Sequence, residues 1–289
     1  MKSLELSAAT SYWKFRNVRD PLNDIRLFSR VKRKPWLLVA VALIAVWQPA
    51  LAAEPKPDFT LKTKSVEASV SLDAKIKADA ALAADCLTEG KAWAAGYSHD
   101  ADIERKTTPQ MFRNGAWSVT RKYETRSVVD GHYVSIVRSD YTDTGGAHPN
   151  SDVNTILWDS AAGKRISIRP FFTETADGGP TMKAMVEAVL ASLTVEKKKR
   201  DAGETATKEW FESVEPKLLK IGAVTLAPST VAGKSSGLTF HYPPYRVGPY
   251  AEGEYVAFVP WETLKPYLTP EGIKIFGGAR PKGDDDGQQ

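Results

Sequence analysis

The 289-residue sequence predicts an α+β fold, an antiparallel sheet with helices packed on one side. Three observations carry that expectation. Asp130-Gly131 separates two runs that alternate in polarity, Ala116–Val129 and His132–Thr142, as a hairpin requires. Met182, Met185, Val186, Val189, Leu190 and Leu193 recur at helical spacing and form one stripe. Strands and helices come in blocks, without the strict alternation of a doubly wound parallel sheet. With 42% hydrophobic and 26% charged residues the composition is globular. It excludes a disordered chain, a collagen-like fibre and a polytopic membrane protein. A single cysteine excludes an internal disulfide framework.

Taken in order, Phe59–Val70 reads as a first strand. Ser71 stands where it can cap a helix carrying Leu72, Ile76, Ala80, Ala83 and Leu87, which Gly90 or Gly96 would end. Cys86 falls in that helix and reads as a small buried residue, with an intermolecular disulfide as the alternative. His99–Arg113 is polar, contains Pro109 and reads as loop. In the hairpin, a two-residue type I′ turn sets Val129 opposite His132, Ser127 opposite Val134, Thr125 opposite Ile136 and Arg121 opposite Asp140. Trp117, Val119, Tyr123, Val134 and Ile136 then share one face. Further strands are expected at Asp152–Trp158 and, after the turn Ser160–Gly163, at Arg165–Ile168. The helix stripe ends in Lys197-Lys198-Lys199-Arg200, cations that suit a solvated C-terminus. Glu204–Val214 reads as a second helix, Ala223–Leu226, Gly237–Tyr242 and Glu254–Val259 as strands, and Trp261–Leu268 as a short helix. The domain is expected to span 59–268, with 269–289 as a disordered tail.

The N-terminus reads as an address. Trp36–Trp47 is an uninterrupted apolar run of twelve residues, preceded by Lys32, Arg33 and Lys34 and followed by Ala50-Leu51-Ala52. It falls short of the roughly 20 residues a membrane span needs. A basic segment, a short apolar run and small residues at the break define a signal peptide over 1–52, cleaved after Ala52, with 53–58 as a tether. An uncleaved anchor is the alternative, and the only route by which the chain would meet a membrane. The expected location is the periplasm or the extracytoplasmic face of the envelope. Charge agrees with this division. The first 52 residues carry nine Lys and Arg against three Asp and Glu, and the rest carry 30 against 32. The folded part has no electrostatic reason to seek nucleic acid.

Catalytic motifs are silent. The four histidines, His99, His132, His148 and His241, have no metal-ligand spacing, and no nucleophile elbow, P-loop or dinucleotide fingerprint occurs. No catalytic residue, metal or cofactor is expected. Two loops stand out instead. Tyr141–Asn150 (YTDTGGAHPN) holds Gly145, Gly146, His148 and Asn150; its glycines permit unusual backbone angles and Pro149 stiffens the chain at its far end. Phe240–Gly253 (FHYPPYRVGPYAEG) holds Tyr245, Tyr250 and Glu252, and its prolines shape it in advance. Tyrosines of this kind serve either as packing with satisfied hydroxyls or as interface contacts. The two loops are expected to lie together as a binding surface.

Three segments together resemble the PdaC/RsiV-like domain family: the GGAHPN loop, Gly163–Phe172 (GKRISIRPFF), and Gly237–Leu264 with its YRVGPYAEG core. The resemblance covers about Phe59–Leu268. It implies an α+β domain outside the cytoplasmic membrane, near the cell wall. In RsiV-type anti-sigma factors it implies recognition of lysozyme. In PdaC-type deacetylases the chemistry resides in a separate domain, whose Asp/His metal pattern is absent here. The expected function is a non-catalytic binding module for a lysozyme-like protein or peptidoglycan. The alternative is a cell-wall-modifying enzyme that uses His148.

Overall fold

The computed structural model describes residues 56–202 and 204–284. The expected signal peptide, its cleavage site and the start of the tether lie outside the described residues. Among those described, no helix is long and apolar enough to cross a membrane.

The fold is α+β, with two sheets. Strands β1 (Phe59–Lys62), β2 (Val66–Leu72), β3 (Trp117–Val129), β4 (Tyr133–Asp143), β5 (Asn150–Asp159) and β6 (Lys164–Ile166) form a six-stranded sheet in that order. Between β2 and β3 run helices α1 (Ala74–Ala78) and α2 (Ala80–Thr107). Helices α3 (Pro180–Lys199) and α4 (Glu204–Phe211) precede a three-stranded sheet of β7 (Ala223–Leu226), β8 (Gly237–Tyr242) and β9 (Tyr255–Pro260). Short helices α5 (Trp261–Leu264) and α6 (Pro270–Ile275) come last.

Helix α2 lies on one face of the long sheet. Leu82 and Cys86 pack on Val70, Leu72, Tyr123, Ile136, Ile156 and Trp158. Burial, then the charge of Asp85, pushes the Cys86 thiol up to about 12, so it is an inert core residue. Several expectations change here. Phe59–Val70 is two antiparallel strands, because the chain turns at Thr63, whose N–H donates to Val66 O at 2.8 Å. Strand β2 pairs parallel to β3, the natural outcome of a helical crossover, so the sheet is mixed. Asp73 and Asp79, not Ser71, cap the helices, and α2 continues through both glycines over 28 residues. Gly90 is a contact glycine: a Cβ there would meet Val70 Cγ1 at 2.7 Å. His99–Arg113 is therefore mostly helix.

The hairpin keeps the expected positive φ at Asp130 and Gly131. Its register holds at Thr125 opposite Ile136 and Arg121 opposite Asp140 but is one residue off near the turn, where Ser127 faces Ser135 and Val129 faces Tyr133. A bulge at Arg126 absorbs the difference. It turns Ser127 and Val129 to the face away from α2, where the small sheet docks edge-on. Val224 N–H donates to Thr155 Oγ1 (3.0 Å), Leu226 N–H to Ser135 Oγ (2.9 Å), and Ser127 Oγ to Leu226 O (2.6 Å). Hydroxyls of the long sheet thus satisfy the outer edge of β7, which otherwise would bury unpaired backbone groups. On the far side, Met182, Met185, Val189 and Leu193 of α3 pack with Phe240, Tyr242, Ala257 and Val259. Each sheet carries one main helix on one side.

The stretch after 268 is not a disordered tail as far as Asp284. Thr269 caps α6, Ile275 and Phe276 enter the core, and Trp261 Nε1 donates to Gly278 O at 3.0 Å. Asp284 pairs with Arg126 and, at 2.8 Å, with Arg280. Composition concealed this because the apolar anchors are only Ile275 and Phe276, while polar side chains and backbone carbonyls hold the rest of the segment.

Candidate functional site

The two singled-out loops meet. The ring of His148 stacks on Tyr250 with centroids 4.0 Å apart, and Tyr245 lies 5.6 Å from Tyr250. His148 Nδ1 is 2.9 Å from Pro149 O, a carbonyl that only accepts, so Nδ1 carries the proton. Nε2, at the other edge of the ring, lies 3.2 Å from the Tyr245 hydroxyl. The Tyr250 hydroxyl donates to the same Pro149 carbonyl at 2.8 Å, which joins the loops through one acceptor.

Local chemistry fixes each side. Asp143 Oδ1 accepts Gly145 N–H at 3.0 Å and starts the turn. Gly145 has φ +74°, and a Cβ would stand 2.3 Å from Met111 O, so only glycine fits. Gly146 meets no such neighbour within 4 Å. Asn150 is not loop but the first residue of β5, paired with Thr142. Across the gap, Pro243-Pro244-Tyr245-Arg246 closes a turn in which Arg246 N–H donates to Pro243 O at 3.1 Å. Proline at the second position and a positive φ at the third form a type II turn, where glycine is the ordinary third residue. Here that residue is Tyr245, with φ 70° and 51% exposed.

Glu252 does a different job. Its carboxylate accepts Lys197 Nζ at 2.6 Å and the Tyr255 hydroxyl at 2.5 Å, and Arg200 donates to its carbonyl. Burial alone would raise the Glu252 carboxyl, but Lys197 and Tyr255 overcome it and hold the group below its usual range. It anchors the tyrosine loop to α3 and is not turned toward the His148 side. The basic run expected as a solvated helix end is therefore partly internal: Lys197 is buried, and Arg200 lies 4.0 Å over the Tyr255 ring. No local pattern signals this, since Lys197 and Glu252 are far apart in the chain.

The arrangement offers a preorganised aromatic face with hydroxyl and imidazole edges. The groups converging on His148 are tyrosines; neither contact brings the carboxylate that would orient a catalytic base. Among the described residues no cluster of three His, Cys, Asp or Glu could hold a metal ion.

The geometry defines an α+β domain of two sheets with a loop-borne aromatic face. Residues 172–262 match the family model described as a protein of unknown function, DUF3298. The matched segment comprises the small sheet, α3 and the tyrosine loop and leaves the GGAHPN loop outside it. No curated protein matches. Among solved structures the chain is similar to a DUF3298-family protein from Pseudomonas aeruginosa PAO1, at 21% identity and a TM-score of 0.43 over 56% of this chain and 66% of that one. It is also similar to a DUF3298-family member from Bacteroides fragilis NCTC 9343, at 14% identity and a TM-score of 0.48 over 74% of this chain and 93% of that one.

Proposed function

We propose that the chain is an exported, non-catalytic binding module of the cell envelope. The His148–Tyr245–Tyr250 face would contact either a lysozyme-like protein or a peptidoglycan strand. One observation carries this reading. A tyrosine occupies the left-handed position of a type II turn and holds its ring in water. A non-glycine residue there costs about 1–2 kcal/mol, and the packing offsets only part of it, since Tyr245 contributes a surface hydrogen bond to His148 and half-exposed ring contacts with His148 and Tyr250. Backbone strain of this kind gathers at recognition sites. A rigid loop that presents aromatic rings loses little entropy on binding, and both protein and glycan partners offer surfaces for such rings. The resemblance to PdaC/RsiV-like domains and the signal-like N-terminus support the envelope location. Calorimetric titration of the purified chain with lysozyme, and separately with soluble peptidoglycan fragments, tests the proposal. Saturable binding to one of them is expected. No heat with either contradicts it.

A further inference from the structure

The second recognition feature is a strand edge. Strand β4 pairs with the whole of β5, Asn150–Asp159, but β6 covers only Leu157–Asp159 on the other side. Asn150–Ile156 therefore run along an open edge. Thr155 N–H turns away from β4 to Asn154 Oδ1 at 2.8 Å. The odd residues of β5 thus aim their backbone groups outward, and Ser151 and Val153 present theirs to the open side.

This edge lies in a groove, not on a flat rim. Beside it is a cavity of about 490 Å³, closed near β6 by Ile166 and Ile168 and walled opposite by Leu218, Gly222, Pro243 and Arg246. Leu219, on the same rim, is 94% exposed, an apolar side chain standing in water. The charges facing the groove are unmet. Asp152, in its lining, has no cation partner among the described residues. On the other wall Arg246 donates to the carbonyls of Ser213 (3.2 Å) and Lys220 (3.3 Å) and meets no carboxylate among the described residues. Nor does the edge carry a usual guard, having neither proline nor lysine from Ser151 to Ile156.

We propose that the β5 edge docks an extended polypeptide segment, which adds as a strand and places a Lys or Arg against Asp152 and an Asp or Glu against Arg246. Outward donors and acceptors repeat every second residue, about 6.6 Å along the strand, a spacing that another polypeptide backbone matches. The site goes beyond the aromatic face and does not depend on it.

The test is selection of phage-displayed random decapeptides on the purified chain, then titration of the synthetic consensus peptide. The selected peptides are expected to alternate apolar residues and to share one basic position. The consensus peptide should slow hydrogen exchange at Ser151 and Val153. Val153→Pro, which removes an outward N–H, should weaken binding at least tenfold. Because that change can also disturb the strand, Asp152→Lys at an exposed side chain is the second variant. It should weaken binding at least tenfold, and reselection on it should replace the basic residue by an acidic one. The proposal is overturned if no consensus emerges or if both variants bind the peptide like the parent. It is also overturned if chitohexaose, and not the peptide, protects the β5 amides.

Discussion

Helices α2 and α3 each lie on one sheet, but the two seams are built from different chemistry. Under α3 the contact is apolar: Met182, Met185, Val189 and Leu193 against Phe240, Tyr242, Ala257 and Val259. Under α2 an apolar strip gives way to a lattice of charges. Arg121 and Asp140 form a buried two-point pair at 2.7 and 2.6 Å, and Arg121 also lies 4.5 Å over the Trp93 ring. Glu89 of α2 accepts from Arg138, from Arg165 at 2.6 Å and, at 3.3 Å, from the Tyr123 hydroxyl; Arg165 reaches Asp85 as well. An apolar seam fails when a charge enters it. A charged seam fails when one partner leaves.

The largest effect is expected in the α3 seam. Val189→Asp puts an unpaired carboxylate into a dry contact at a cost of several kcal/mol against a total stability of about 5–15, so the variant should be unfolded by circular dichroism at 25 °C. In the α2 seam Asp140→Ala removes the two-point partner of the buried Arg121 guanidinium and leaves it only Glu89, at 4.0 Å. A loss of roughly 3–5 kcal/mol in urea unfolding is expected. The double change Arg121→Met with Asp140→Leu removes both charges and should recover most of that loss, because apolar replacements of a buried pair are often neutral or better. If the double variant is as unstable as Asp140→Ala, the loss comes from the missing pair itself and not from an orphaned charge.

The same contrast explains what could be read in advance. The α3 stripe, the Asp-Gly turn and the Arg121–Asp140 pairing were legible because periodicity and register encode them locally. The full length of α2 was not. Its glycines look like stops, and only its packing shows that Gly90 is there to let the helix approach Val70. The bulge at Arg126 was hidden too, since its purpose is to aim Ser127 at a strand about a hundred residues away. At the site, both loops and the residues His148, Tyr245 and Tyr250 stood out in the sequence. The left-handed Tyr245, the shared Pro149 carbonyl and the Lys197 support under Glu252 did not, because each is a property of tertiary contact.

A third, smaller effect concerns the face of the small sheet that meets the C-terminal segment. His241 is buried, with Thr225 Oγ1 at 3.0 Å from Nε2, and burial, then Arg126 and Arg280, lowers its pKa to about 4. The native state keeps this ring neutral. The unfolded chain takes up a proton near the ordinary value of about 6.5. Stability from this group is therefore complete above about pH 6.5 and is lost as pH falls toward 4, by up to roughly 3 kcal/mol. His241→Asn should flatten the urea midpoint between pH 7 and 5. An unchanged slope would place the acid sensitivity elsewhere.

The binding face is tested most directly by Tyr245→Gly, with melting temperature and partner affinity measured on the same protein. Glycine is the residue that the type II turn ordinarily takes at this position. It relieves a left-handed strain of about 1–2 kcal/mol while raising the entropy of the unfolded chain by an amount worth roughly 0.4–1 kcal/mol. The melting temperature should hold or rise slightly. Affinity for the partner found by titration should fall by about 2 kcal/mol or more, as for an aromatic hot spot. A clear drop in melting temperature with affinity unchanged would contradict the binding role and make Tyr245 a structural clamp between the two loops.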